Sequence, residues 1–463
     1  MDLHGKRVLV MGLGLHGGGL GVTRWLLKQG AQVTVTDLKK PVELAPTVAA
    51  LQGERVEFVL GEHRESDFTA ADLIVRNPGV PRESRYLALA RARDVPIRME
   101  MGLFFERLPS GTDQVIGITG TKGKTTTTLM VGAILKKANP KTVVAGNLRV
   151  SALELLDRID AETPVVLELS SFQLEEFDEL ASSPRIAAVT NIYPDHLNRY
   201  RGMEDYAAAK ANIFRHQGLT DYCVLNFDNS ILTRMRPGIP SRVVWFSRNR
   251  ALNDGAFLEG STLIWNAHGT RHSILNVADL GVLGAHNVEN ALAATAVASV
   301  WGASPEAIAT ALKEFKGAPH RLEIVRELDG VTYINDTTAT APTAAINALR
   351  ALTGRAGKVW LLAGGSDKGL DYADMARAVI EACAGVILLQ GSATGKLEQA
   401  IDAAGGHTLI AGIYDEFSAA IRYAQLQARP GDIVLLSPGA ASFGMFVNEF
   451  ERGDQFRSIV QGL

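Results

Sequence analysis

Two cysteines, Cys223 and Cys383, are all that 463 residues contain, too few for a disulfide framework to hold so long a chain. Neither sits in a CxxC or His-bearing context, so both read as small core residues rather than nucleophiles. No apolar run approaches the ~18 residues that a membrane-spanning helix requires. The start, MDLHGKRVLVMG, lacks the long apolar segment of a signal peptide. Positive charge is not in excess either: 47 Lys and Arg stand against 50 Asp and Glu, for a net charge of -3. That balance leaves no electrostatic footprint for nucleic acid. Internal repeats and low-complexity tracts are absent too. The expectation is a globular, cytoplasmic monomer that acts on small molecules, with neither nucleic acid nor a membrane as partner.

What is present is length enough for roughly three domains and a composition, 46% apolar, that can fill several cores. The stretch around which the rest is arranged is GTKGKTT: Gly120, Thr121, Lys122, Gly123, Lys124, Thr125 and Thr126. Before it, Val115 to Thr119 is apolar and β-branched like a buried strand, and after it Leu129 to Lys137 has helical spacing. Glycines in such a turn let backbone N–H groups converge on an anion, and the first helical turn adds its unpaired donors. Lys124 supplies a point charge for terminal phosphates, and the Thr125 hydroxyl is placed to hold Mg²⁺. The usual phosphate-loop pattern asks for a glycine where Ile118 stands, so the turn is a shortened variant.

The first segment opens with a strand, Arg7 to Met11, followed by GLGLHGGG and an amphipathic helix; a second strand, Gln32 to Thr36, ends at Asp37. Gly12-x-Gly14-x-x-Gly17 with a following acid resembles a dinucleotide fingerprint, but a lone GxGxxG supports only an anion near the helix N-terminus. NAD(H) and a UDP-linked substrate both fit. Asp72 to Val75 and Asn77-Pro78-Gly79-Val80 form a further strand and turn at the same sheet edge, and Leu108 to Gly111 reads as the first domain boundary.

In the central segment Glu168 sits inside an apolar strand, Val165 to Leu169, and an acid on a second strand beside a phosphate loop ordinarily holds Mg²⁺. Ile186 to Thr190 is another strand, and the loop after it carries His196 to the same sheet edge as Lys124 and Glu168. Lys210, in the helical run Tyr206 to Lys210, reads from spacing alone as a snorkelling surface lysine. Short strands between Asn226 and His286 read as peripheral decoration. From about Lys316 onward strand and helix alternate, with Asn335-Asp336, Gly364 to Lys368 and Ser437 to Ser442 at strand ends where open-sheet ligands gather.

The ordered series GTKGKTT, LELSSFQLE, NIYPDHLNRY, YAAAK, GAHNVENALAA, GAPHRLE and NDTTAT resembles the Mur ligases, ATP-dependent amide-bond formers, over nearly the whole chain. LELSSFQLE and LSPGAASFGMF are most similar to the family's glutamate-adding branch. The resemblance implies three α/β domains: a Rossmann-like UDP-substrate domain (1–110), a phosphate-loop ATPase domain (111–317) and a Rossmann-like amino-acid domain (318–463). It implies ATP on the Gly120–Thr126 loop with Asn287 and Asn290 on its adenine side, and Arg321 and Asp336 of a hinged third domain as further ATP contacts. Two Mg²⁺ ions would lie on Thr125, Glu168, His196 and a carbamylated Lys210. Lys124, Glu168, His196 and Lys210 are thus the implied catalytic set. Gly14, Leu15, His16, Asp37, Asn77, Gly79 and Asn147 would face the UDP substrate, and Lys368, Ser442 and Phe443 the amino acid.

The implied reaction is an acyl-phosphate ligation of glutamate to the L-alanyl carboxylate of UDP-N-acetylmuramoyl-L-alanine, in peptidoglycan precursor synthesis. Departures concern the amino-acid end. Thr338 stands where such enzymes commonly carry lysine, Gly444 where they carry aspartate, and Glu449 where they carry an aromatic. D-glutamate is the expected substrate, with L-glutamate, a folylpolyglutamate-synthase-like ligase and an NAD(H) dehydrogenase as alternatives.

Overall fold

Apolar β-branched runs punctuated by glycine turns form three sheets in the computed structural model, which describes residues 2–15, 17–148, 151–282, 284–353 and 357–463. His16, an expected substrate contact, lies outside the described residues. The first sheet contains β1 (Arg7–Met11), β2 (Gln32–Asp37), β3 (Val56–Leu60), β4 (Leu73–Arg76) and β5 (Ile97–Arg98), in the order β3-β2-β1-β4-β5. All its pairings are parallel. The chain reverses direction across the sheet between β1 and β4, and open α/β sheets form their ligand crevice at such a point. The turn after β1 and the Asn77 turn after β4 both leave the sheet there.

The second sheet comprises β6 (Val115–Thr119), β7 (Val143–Gly146), β8 (Val165–Glu168), β9 (Ile186–Val189), β10 (Tyr222–Asn226), β11 (Arg242–Ser247), β12 (Gly255–Glu259), β13 (Thr262–Ala267) and β14 (Thr270–Asn276). Its order, β14-β13-β12-β11-β10-β9-β6-β8-β7, puts the strand that feeds the glycine turn between the strands that end at Glu168 and before Asn191. Ile118 is in register with Glu168, and Thr119 with Val189. The short strands expected to be peripheral instead continue this sheet: β11 pairs parallel with β10, and β12 to β14 close the edge as antiparallel hairpins. Their backbone groups find partners in the ladder, which a detached decoration would leave to water.

The third sheet holds β15 (Glu323–Leu328), β16 (Val331–Asn335), β17 (Val359–Gly364), β18 (Cys383–Leu389), β19 (Ile410–Tyr414) and β20 (Ile433–Leu436), ordered β15-β16-β20-β17-β18-β19. It is parallel except for β15 against β16. By compactness the chain forms two units: Met1–Asp279 with Val288–Lys313, and Leu280–Asn287 with Glu314–Leu463.

The first two sheets share one unit, and their junction contains a reciprocal exchange of carboxylates. Glu176 accepts from the Met99 and Gly102 amides (2.7 and 3.0 Å) at the start of the Glu100–Phe105 helix. Glu100, the first residue of that helix, accepts in turn from the Ser151 hydroxyl (2.6 Å) and the Ala152 amide (2.8 Å) ahead of the 3-10 turn Leu153–Arg158. Each acid thereby satisfies donors that a helix start leaves without an intrahelical partner. Phe105 and Phe177 close the junction edge-to-face at 4.9 Å. Burial pushes both acids, Glu100 and Glu176, up to about 7.

With folded-state values above the unfolded one, both acids contribute stability below the ordinary carboxylate range and lose it as pH rises through about 7. Glu100→Gln keeps an acceptor oxygen for Ser151 and Ala152 and cannot ionise. Its urea midpoint should therefore fall less than the parent's, by about half, between about pH 5 and 8. Parallel pH profiles for variant and parent would contradict this account of the junction.

Candidate active site

The turn after β6 is shaped by contacts from 68 and more residues away. Gly123 has φ +81, and a Cβ there would lie 2.2 Å from Asn290 Oδ1; one on Gly120 would lie 1.9 Å from Thr190 Oγ1. Both the backbone conformation and the space demand glycine. The Thr121 amide donates to the Asn191 carbonyl (2.8 Å), the Lys122 amide to Asn191 Oδ1 (2.8 Å), and the Thr190 hydroxyl to the Lys122 carbonyl (2.6 Å). The Lys124–Ala138 helix starts directly from this turn, with Thr125 and Thr126 in its first turn.

Two lysines converge on one oxygen of the turn. Lys124 Nζ donates to the Gly120 carbonyl at 3.0 Å and to the Thr121 carbonyl at 3.1 Å, while Lys210 Nζ donates to the same Gly120 carbonyl at 2.9 Å. Lys210 is not the surface lysine that its spacing implied, since it is only 2% exposed. The Met203–Arg215 helix turns it inward, with the Tyr206 ring 4.8 Å from its Nζ. Burial, reinforced by the charge of Lys124, lowers Lys210 to about 7. Tyr206 completes the surround, its hydroxyl 3.2 Å from Thr121 Oγ1.

Glu168 is 2% exposed, with Oε1 accepting from Asn147 Nδ2 at 2.8 Å. Its other oxygen, Oε2, is buried without a hydrogen-bond partner. An unpaired carboxylate oxygen in an apolar strand is costly unless a cation reaches it, so this donor fits Mg²⁺. His196 is half-exposed at φ +53, its ring 4.9 Å from Phe172. Among the described residues no group of three or more His, Cys, Asp or Glu side chains gathers around a common point. Hard-cation ligation here must therefore draw on hydroxyl, water or phosphate oxygens as well.

At the first sheet's crevice Asp37 has a local structural task. Its carboxylate accepts from the Leu13 and Gly14 amides (2.9 and 3.2 Å) and from the Lys39 amide (2.9 Å), which holds the glycine turn open ahead of the Gly18–Lys28 helix. Asn77 Oδ1 accepts from the Gly79 amide at 3.0 Å, and Leu15 is exposed beside the turn. Thr36 Oγ1 is engaged by His63 at 2.6 Å.

In the second unit the loops after the adjacent strands β16, β20 and β17 carry Asp336, Ser442 with Phe443, and Lys368. Asp336 accepts from the Leu322 amide (3.2 Å) and the Ser437 hydroxyl (2.8 Å), and burial pushes it up to about 7. Arg321 is exposed next to Leu322. Lys368 Nζ donates to Thr340 Oγ1 at 3.1 Å, Phe443 is exposed, and Ser442 Oγ is buried without a partner. Asn287 and Asn290 lie three residues apart on the Ala285–Trp301 helix, and Asn290 Oδ1 accepts from Thr127 at 3.4 Å. Sequence reasoning passed over Thr190, Asn191 and Tyr206, although each lay in or beside a quoted motif. It also passed over Arg452, fully buried and bound to the Thr337 hydroxyl and carbonyl, both at 2.9 Å.

Comparison with known proteins adds independent weight. Family models described as Mur ligase MurD-like N-terminal domain, Mur ligase middle domain, and Mur ligase glutamate ligase domain match residues 6–99, 118–298 and 320–439. A protein of Roseiflexus sp. (strain RS-1) named UDP-N-acetylmuramoylalanine--D-glutamate ligase is 51% identical over 469 residues, covering 100% of this chain and 99% of that one. One of the same name from Clostridioides difficile (strain 630) is 36% identical, covering 100% of both. The solved UDP-N-acetylmuramate-alanine ligase of Thermotoga maritima shares the fold, with TM-score 0.63 and 20% identity over 99% of each chain. From the glycine turn to the third sheet, the chain belongs to the Mur ligase family.

Proposed function

We propose that this protein joins D-glutamate to UDP-N-acetylmuramoyl-L-alanine with cleavage of ATP to ADP and phosphate, as a cytoplasmic monomer in peptidoglycan precursor synthesis. The observation that carries the reading is the pair of lysines on the Gly120 carbonyl beside the unpaired oxygen of Glu168. The names of full-length relatives support the choice of substrates. Three Mur ligase descriptions across the chain leave no role for the NAD(H) alternative. Domains of 1–110, 111–317 and 318–463 would present the UDP substrate, ATP and glutamate respectively, with Arg321, Asp336, Asn287 and Asn290 as further ATP contacts.

In the proposed chemistry a substrate carboxylate oxygen bonds to the γ-phosphorus as the bond to ADP breaks. The glutamate amine then attacks the acyl carbon, loses a proton, and phosphate departs with the former carboxylate oxygen. Lys124 offsets charge on the phosphates, which is greatest during transfer. Gly14, Leu15, Asp37, Asn77, Gly79 and Asn147 would orient the UDP substrate, and Lys368, Ser442 and Phe443 the amino acid. Thr125 and Glu168 would hold one Mg²⁺, and His196 with a carbamate on Lys210 a second. Bound there, the ions screen the mutual repulsion of carboxylate and phosphate. The carbamate has a physical rationale, because only a neutral amine adds to CO₂ and Lys210 is lowered to about 7.

The departures at the amino-acid end have local causes. Gly444 has φ +105, a conformation that aspartate would adopt only under strain. Burial lowers the Arg452 guanidinium to about 10 against the opposing charge of Glu449, so the charge of Glu449 is partly spent on that arginine. Phe450 packs edge-to-face on His320 at 5.4 Å. None of these contacts bars a dicarboxylic amino acid.

Phosphate release from ATP with the UDP-muramoyl substrate and a panel of amino acids tests the reading. D-glutamate should be preferred, whereas L-glutamate turning over about tenfold more efficiently, a gap of ~1.4 kcal/mol, would overturn that choice alone. Lys124→Ala should lose about a thousandfold in turnover and keep the parent's affinity for the UDP substrate; near-normal turnover would remove the loop as the ATP site. Lys210→Ala should be inactive and partly rescued by short carboxylic acids. After CO₂ removal, parent enzyme should regain activity with bicarbonate progressively more slowly below about pH 7, where the amine is protonated. Indifference to CO₂ would rule out the carbamate.

A further inference from the structure

The loop that carries His196 and the turn that carries Asn77 and Gly79 come from different sheets of one unit, yet a single buried cluster joins them. Arg76, the last residue of β4, donates from Nη1 to the Val80 carbonyl at 2.6 Å. Arg199, three residues after His196, donates from Nη2 to the same carbonyl at 3.4 Å and to both Glu175 oxygens at 3.2 and 3.4 Å. The Tyr200 hydroxyl donates to Glu175 at 3.2 Å, and Arg76 Nη2 lies 3.6 Å from the same carboxylate. Arg76, Glu175 and Tyr200 are 5%, 7% and 8% exposed. Ion pairs so withdrawn from solvent are screened little, and removing one partner leaves a buried charge uncompensated.

The cluster also reaches His196 itself. The Arg199 guanidinium stacks over the Phe172 ring at 5.3 Å, and the same ring lies 4.9 Å from the His196 imidazole. His196 occupies φ +53, uncommon for a side-chain-bearing residue and maintained only where surroundings over-determine it. The Arg199 and Tyr200 amides bond back to the His196 carbonyl at 2.9 and 3.1 Å, which closes the loop on itself.

We propose that Arg199 is a positioning residue that fixes the His196 loop to the Asn77–Val80 turn, so that the UDP-linked substrate and the metal-bearing loop are held in one register. This rests on the proposed function for the roles of the two loops. Arg199 itself touches neither substrate nor metal. It acts through the Val80 carbonyl on one side and through the Phe172 ring on the other.

The test pairs Arg199→Met with Arg199→Lys, which keeps the charge toward Glu175 and guards against simple misfolding. Two constants are read: the dissociation constant for UDP-N-acetylmuramoyl-L-alanine, by calorimetry without ATP or metal, and the Mg²⁺ concentration for half-maximal turnover. Arg199→Met should weaken both by about tenfold while the KM for glutamate stays within about twofold, and Arg199→Lys should fall between variant and parent. Phe172→Leu should raise the Mg²⁺ requirement and leave UDP-substrate binding unchanged. A change in only one constant for Arg199→Met, in neither, or an equal shift that includes the glutamate KM would overturn the proposal. If the parent releases no phosphate, the ligase reading has failed; the calorimetric arm, which needs no turnover, still reads the Arg199 link.

Discussion

The Gly120 carbonyl accepts from two lysines, Lys124 and Lys210, at 3.0 and 2.9 Å. Two ammonium groups on one oxygen stand no more than ~6 Å apart, and at an effective dielectric constant near 20 they repel by about 3 kcal/mol. Two events relieve that repulsion: one lysine gives up its proton, or a polyanion arrives. Burial decides which lysine yields, since Lys210 is enclosed and, with the charge of Lys124 adding to burial, lowered to about 7. The turn is therefore built to meet negative charge, and its helix N-terminus points the same way.

Sheet topology delivers the other groups to that point. β6 lies between β8 and β9, so Glu168 on one side and Asn191 to His196 on the other flank the glycine turn with no long connection needed. Asn191 links the two functions of its loop, because its side chain binds both the amide and the carbonyl of Lys122 and its backbone carbonyl accepts from the Thr121 amide before the chain runs on to His196. The first sheet repeats the device in simpler form: Asp37 spends its carboxylate on the amides of the neighbouring turn. In both, a polar residue at a strand end shapes the turn of an adjacent strand.

Local signals in the sequence reached the elements whose causes are local. Val115 to Thr119 is a strand because it is a β-branched run before a glycine, and the structure ends β6 at Thr119. The third sheet's central strands were legible for the same reason, whereas β15 and β19 were not. Both lie at the sheet's edges, where burial is partial and no continuous apolar run is needed. Lys210 was misread because the groups that enclose it, Thr119 and Gly120, lie about ninety residues upstream. Glu100 and Glu176 escaped notice because their partners are mostly backbone amides, which leave no trace in side-chain identity, and the one side-chain partner, Ser151, lies 51 residues from Glu100. The family resemblance singled out Lys210 without explaining its burial, and the structure supplies the cause.

On the proposed function, the role of the paired lysines is transfer of a terminal phosphate onto a substrate carboxylate. It is tested most directly by following oxygen. With ¹⁸O in both carboxylate positions of UDP-N-acetylmuramoyl-L-alanine, the phosphate released during glutamate addition should carry one ¹⁸O atom, and the new amide should keep the other. Phosphate free of label, alongside an amide formed at the normal rate, would contradict activation of that carboxylate at the Gly120 turn.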